Sequence, residues 1–145
     1  MLLNNILTVV LSEVPDVMLV TPIYAAIFGF VFVALSVRTL LLRRRLGVGI
    51  GDGEMPILKR AVRVHSNYAE YVPLSLILLY FLEIQVGASL WMNVLCSVLL
   101  IGRITHAFGV SQVEENYRYR VIGMALTFTV IICAALGIIK GYLSL

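Results

Sequence analysis

Residues 60–82 read Arg60-Ala61-Val62-Arg63-Val64-His65-Ser66-Asn67-Tyr68-Ala69-Glu70-Tyr71-Val72-Pro73-Leu74-Ser75-Leu76-Ile77-Leu78-Leu79-Tyr80-Phe81-Leu82. The two halves differ in chemistry. From Val72 to Leu82 the run is almost purely apolar. Before it, Arg63, Asn67 and Glu70 recur at i, i+4 and i+7, which places them on one face of a helix. At ~1.5 Å of rise per residue the three cover about 10 Å of helix axis. A helix that begins amphipathic and continues into unbroken hydrocarbon is one that enters a bilayer, and the rest of the chain is read from that point.

Three more stretches approach the roughly 20 apolar residues that a bilayer crossing needs. They run from about Val17 to Leu42, from Ala88 to Val110 and from Tyr117 to Tyr142, with the quoted helix at about Pro56 to Gln85. Met1 to Asp16 is too interrupted by Glu13, Pro15 and Asp16 to span and reads as an interfacial lead-in. Arg43 to Met55 is basic and glycine-rich and reads as a loop. Pro56 suits the first turn of the next helix, where its missing N–H costs nothing. The expected fold is all-α: a single transmembrane domain over residues 1–145, with four helices joined by short connections as an up-down bundle.

The composition agrees. The chain is 61% hydrophobic and only 13% charged, whereas a soluble domain is nearer half apolar and about one quarter charged. The basic clusters Arg43-Arg44-Arg45 and Lys59-Arg60 flank apolar spans, so they are read as topology determinants and not as a nucleic-acid surface. The first loop carries most of this charge, the third carries Arg118 and Arg120, and the second carries none. Loops one and three are therefore expected on the cytoplasmic side. Cys96 and Cys133 lie within apolar runs and read as packing residues, with no metal site expected. No basic n-region or A-x-A-like site is legible near the start, so no cleaved signal peptide is expected.

Charged groups inside a span are costly and are candidates for function. Arg103 and His106, near the end of the third helix, fall at the depth of Glu70 and Asn67, and a Glu70–Arg103 ion pair is expected. A buried pair can exist simply to fix helix register. That does not account for the surplus of cations, since Arg38, Arg63, Arg103 and Arg120 converge with one intramembrane carboxylate. Such an excess suits an anionic ligand held by planar guanidinium groups. A small acid that also carries amides and one amine fits the whole set, and glutathione is one such molecule among others.

The run Arg63-x-His65-x-Asn67-x-x-Glu70-Tyr71-x-Pro73 resembles the second-helix signature of the MAPEG family, the membrane-associated proteins in eicosanoid and glutathione metabolism. Gly102-Arg103-x-x-His106 resembles the family's third-helix motif. Arg120-x-x-Gly123-x-x-x-Thr127 and the glycine-rich Gly47 to Gly53 resemble its bacterial branch. The resemblance implies a homotrimer in the bacterial inner membrane, in contact with lipid, with glutathione as co-substrate between neighbouring subunits. It implies Arg38, Arg63, His65, Asn67, Glu70, Tyr71 and His106 as glutathione ligands. Arg120 matches the arginine that stabilises the thiolate, with Arg118 a competing match. The implied activity is that of a glutathione transferase or peroxidase acting on a lipophilic small-molecule electrophile or a lipid hydroperoxide.

One position departs from the pattern. Catalytic members carry a tyrosine four residues after the position of His106, and this chain has Val110 there; Tyr117 or Tyr119 is left as a replacement. The alternative on the same scaffold is a protein that binds lipid or another ligand without catalysis. A transporter is not favoured, because the sequence shows no inverted repeat and no pair of broken helices.

Overall fold

The computed structural model describes residues 19–114 and 116–144. It contains four helices: α1 (Thr21–Leu46), α2 (Pro56–Val86), α3 (Leu90–Ser111) and α4 (Tyr117–Leu143). There is no strand among the described residues, and all four helices are long and apolar enough to cross a membrane. The lead-in expected over Met1 to Asp16, and the helix start expected near Val17, lie outside the described residues. At 1.5 Å per residue the 31 residues of α2 exceed the ~30 Å hydrocarbon core by several turns. The polar first turns of α2 therefore have room to sit at headgroup depth.

The centre of the bundle is α2, which packs against each of the other three helices, whereas α1 and α4 do not meet among the described residues. Its buried stripe is Leu58, Ala61, Val64, Tyr68, Val72, Ser75, Leu79 and Leu82. These positions repeat every three or four residues, the spacing that keeps side chains on one helix face. They pack with Phe28 of α1, Met92, Leu95, Cys96 and Leu99 of α3, and Val130 and Ala134 of α4. Both cysteines are free thiols, Cys96 buried in this core and Cys133 half-buried.

This stripe corrects an expectation. The face carrying Arg63 and Glu70 does not turn into the interior of the chain; both residues are exposed. At 3.6 residues per turn the apolar stripe lies roughly 140° away around the helix, and it takes the interior because burying the charges of Arg63 and Glu70 there would be costly.

The first helix also runs further than expected. Arg43, Arg44 and Arg45 form its last turn, and Gly47 closes it in the left-handed conformation (φ 67°), its N–H bonded to the Arg43 carbonyl. Arginine is a good helix former, and cations in a last turn complement the negative end of the dipole. At its start, α1 is capped from another helix. Glu83 of α2, fully buried, accepts the backbone N–H of Val20 through Oε1 (2.6 Å) and that of Thr21 through Oε2 (2.8 Å). Nearby, the Tyr24 hydroxyl hydrogen-bonds with Ser97 Oγ of α3 at 2.6 Å.

The packing of α3 on α4 depends on Gly102 and Gly123. A Cβ on Gly123 would lie 2.6 Å from the Gly102 carbonyl oxygen and 2.7 Å from the His106 backbone nitrogen. Only glycine permits this approach, a recurrent device of membrane helix pairs. It holds His106 on α3 beside the first turns of α4, where Arg120 begins.

Candidate functional site

The C-terminal ends of α1 and α3 and the N-terminal ends of α2 and α4 meet at one end of the bundle. There an open cavity of about 660 Å3 lies between α2, α3 and α4. Arg63, Asn67 and Glu70 line it from α2, His106 and Val110 from α3, and Arg120 from α4. Five of the eight residues expected as catalytic or ligand-binding thus share one cavity. Arg120 lines it, and Arg118, Tyr117 and Tyr119 do not. The Tyr119 ring instead meets Phe108 edge-on, with centroids 5.5 Å apart.

Three of the expected residues lie elsewhere in the chain. His65 faces α1, where its Nε2 is 2.9 Å from Ser36 Oγ and its ring lies 4.9 Å from that of Phe32. Arg38 donates from Nη1 to Ser111 Oγ at the end of α3, at 2.6 Å, and lines an apolar groove along α1 instead of the cavity. Tyr71 packs its ring 5.7 Å from that of Phe128 and the same distance from the Arg103 guanidinium, behind the cavity wall. Helical spacing accounts for the split: His65 is two residues from both Arg63 and Asn67, so it projects from a different side of α2.

The expected Glu70–Arg103 pair does not form. Arg103 is fully buried and donates from Nη2 to Asn67 Oδ1 at 2.6 Å. Nη2 also lies 3.4 Å from His106 Nδ1, and Nη1 lies 3.5 Å from Thr127 Oγ1 and 3.7 Å from the Met124 sulfur. The rings of Tyr68 and Tyr71 flank its carbon at 5.9 and 5.7 Å. Glu70 lies about one turn further along α2, exposed and lining the cavity. The guanidinium has no carboxylate partner among the described residues, and its Nε has no hydrogen-bond partner.

Sequence reasoning read Lys59 and Arg60 as topology determinants, yet both line the cavity, as does Glu54 at its rim. Arg60 also bonds the Val110 carbonyl at 3.1 Å, at the end of α3. The usable signal was spacing, because Lys59 is one turn ahead of Arg63 on the same face. Among the described residues the cavity is lined by four cations, Lys59, Arg60, Arg63 and Arg120, and by two carboxylates, Glu54 and Glu70. Such a site favours an anion that bears a smaller cationic group. No cluster of metal-ligating side chains occurs among the described residues.

A four-helix integral membrane bundle with a cation-rich cavity at one end defines the class of protein. The chain belongs to the MAPEG family, whose sequence model matches residues 21–140. Inner membrane protein YecN of Escherichia coli strain K12 is 33% identical over 120 residues, covering 82% of this chain and 89% of the relative. YecN of Escherichia coli O6:H1 matches to the same extent.

Proposed function

We propose that this protein is a glutathione-using enzyme of a bacterial inner membrane. It would activate the glutathione thiolate against lipophilic electrophiles or lipid hydroperoxides. The observation that carries this reading is the single cavity shared by Arg63, Asn67, Glu70, His106 and Arg120. In that reading the guanidinium groups take the carboxylates of glutathione, the Glu70 carboxylate takes its ammonium, and Arg120 lies beside the sulfur. A cation there favours the thiolate and so lowers the thiol pKa. The electrophile reaches the sulfur from the bilayer, the thiolate forms the new carbon–sulfur bond, and the leaving group departs with the electron pair.

Arg38 and His65 enter this reading through assembly. Neither lines the cavity of its own chain. A homotrimer in which the α1 side of one subunit meets the cavity of the next would bring them to the same glutathione. The inner-membrane placement rests on four spanning helices and on the name of the YecN relatives, with loops one and three on the cytoplasmic side by their positive charge.

Titration calorimetry of glutathione into the detergent-purified protein tests the reading. Wild type is expected to bind, whereas Arg63→Ala and Glu70→Ala are expected to lose measurable binding while remaining assembled. Binding that survives in both variants would overturn the assignment. A second reading has its own observation. Val110 lines the cavity where catalytic relatives carry a tyrosine, so a scaffold that binds a ligand without chemistry is the alternative. The ultraviolet absorbance of bound thiolate in wild type, reduced in Arg120→Ala and retained in Arg118→Ala, favours the enzyme; no thiolate in any of the three favours the binder.

A further inference from the structure

His65 stands apart from the cavity, and its contacts decide which ring nitrogen can meet another molecule. Nε2 lies 2.9 Å from Ser36 Oγ. Ser36 Oγ in turn lies 2.8 Å from the Phe32 carbonyl oxygen, one turn back in α1, where a helical serine commonly donates. A hydroxyl has one proton to give, and a carbonyl oxygen has none. If that proton went to His65, the Ser36 and Phe32 oxygens would face each other at 2.8 Å with no hydrogen between them. Only one assignment makes both contacts hydrogen bonds: Ser36 donates to Phe32, and His65 donates from Nε2 to Ser36. Turning the ring over would lose this bond, since a carbon would then face Ser36 Oγ. The Phe32 ring lies over the imidazole, with centroids 4.9 Å apart and planes 32° from parallel, and so limits its rotation. Nδ1 has no hydrogen-bond partner among the described residues, on a side chain that is only half-buried.

We propose that Ser36 is a positioning residue. It holds the Nε2–H of His65 inside the α1–α2 contact and so leaves Nδ1 as the nitrogen open to a ligand. This side of the chain then offers a fixed hydrogen-bond acceptor, and it takes a group that donates an N–H. In the proposed function the guanidinium groups take the carboxylates of glutathione and Glu70 takes the ammonium. The donors still to be placed are the two amide N–H groups of glutathione, and His65 takes one of them. Without Ser36 the proton could sit on either ring nitrogen, and the ring could then turn an N–H towards the ligand's own N–H, where two donors repel.

The ligand half of this inference rests on the proposed function, whereas the ring orientation does not. Long-range proton–nitrogen correlation spectra of the full chain in detergent, labelled with nitrogen-15 histidine, read the tautomers of its two histidines. The signals lost in His65→Gln assign His65. At about pH 8.5, above the ordinary imidazole range, wild type is expected to show a single His65 tautomer with the proton on Nε2. Ser36→Ala should release the ring and let both tautomers appear. Ser36→Thr should restore the wild-type spectrum, because a helical threonine can bond the same carbonyl, as Thr39 bonds that of Leu35 at 3.0 Å. Calorimetric titration with glutathione then tests the acceptor. Glutamine keeps an N–H donor at the place of Nε2 and has no acceptor at the place of Nδ1. His65→Gln should therefore keep the wild-type melting temperature yet weaken binding about fivefold, the loss of one neutral hydrogen bond. Two glutathione analogues, each with one amide N–H replaced by an ester oxygen, locate the donor. Wild type should bind one of them about fivefold more weakly than glutathione, and His65→Gln should not distinguish that analogue from glutathione. A His65 proton on Nδ1 in wild type, an unchanged tautomer in Ser36→Ala, wild-type affinity in His65→Gln, or equal affinity of wild type for glutathione and both analogues overturns the inference. Should wild type fail to bind glutathione at all, the proposed function falls, and the His65 tautomers of wild type and Ser36→Ala decide whether Ser36 sets the ring.

Discussion

Single side chains in this protein are defined by what their partners allow. Glu83 shows this at the end of the bundle away from the cavity. Each of its carboxylate oxygens accepts one backbone N–H at the start of α1. The first N–H groups of a helix have no partner within it, and a buried one left unpaired is costly. Glutamine would fill the same space but offers one acceptor and turns an NH2 group against the other backbone N–H. Glu83→Gln is therefore expected to destabilise the protein by about 1–3 kcal/mol, seen as a lower melting temperature in detergent, and without direct effect on the distant cavity. A melting temperature equal to that of wild type would show that α1 is not held by this cap. The sequence contained the signal, a glutamate within an apolar run, but the partner could not be read: the two N–H groups belong to Val20 and Thr21, more than sixty positions earlier, and backbone groups leave no trace in composition.

At the scale of helices, the α3–α4 contact controls the site more directly than any other. His106 and Arg120 enter the cavity from different helices, and their separation is set where Gly102 and Gly123 cross. A methyl group on Gly123 would meet backbone atoms of Gly102 and His106 at 2.6–2.7 Å, and backbone cannot rotate aside as a flexible side chain can. Gly123→Ala must push the helices apart at a cost of about 1–3 kcal/mol. It should also weaken glutathione binding, because His106 and Arg120 move with their helices. Parallel melting and calorimetric titration check both; loss of stability with unchanged affinity would separate the crossing from the site. Helix number, order and approximate bounds were legible in the sequence, since hydrocarbon thickness dictates a minimum apolar length. The direction of the polar face was not. Arg63, Asn67 and Glu70 share a face by spacing, but spacing does not say whether that face looks inward. The competing stripe from Leu58 to Leu82 decided it, and with it the loss of the Glu70–Arg103 pair and the gain of Arg103–Asn67. The last turn of α1 was missed for a related reason: three arginines look like a loop beside a membrane, yet they also suit a helix C-terminus.

For the whole molecule, the placement of Arg38 and His65 makes a prediction about assembly that no single-copy experiment can reach. In one chain His65 contacts Ser36 of α1, Arg38 lies on α1 itself, and neither lines the cavity. If the proposed trimer is correct, every site takes Glu70 from one subunit and Arg38 from its neighbour. A subunit carrying Arg38→Ala then still offers an intact cavity, and one carrying Glu70→Ala still offers an intact α1 side. Each homogeneous variant should fail to bind glutathione. Co-expressed in equal amounts, the two should rebuild wild-type sites wherever an Arg38→Ala subunit presents its cavity to a Glu70→Ala neighbour, which random mixing in a closed ring makes about one site in four. Calorimetric stoichiometry on the purified mixture reads that fraction, at an affinity equal to wild type because each rebuilt site is complete. Separately purified variants mixed in detergent, where subunits do not exchange, supply the control and should show none. An absence of rebuilt sites in the co-expressed protein would confine glutathione to the α2–α3–α4 cavity of a single chain. Arg38 would then be left with the role its structure already displays, a cation bonded to Ser111 at the C-terminal end of α3, where the helix dipole favours it.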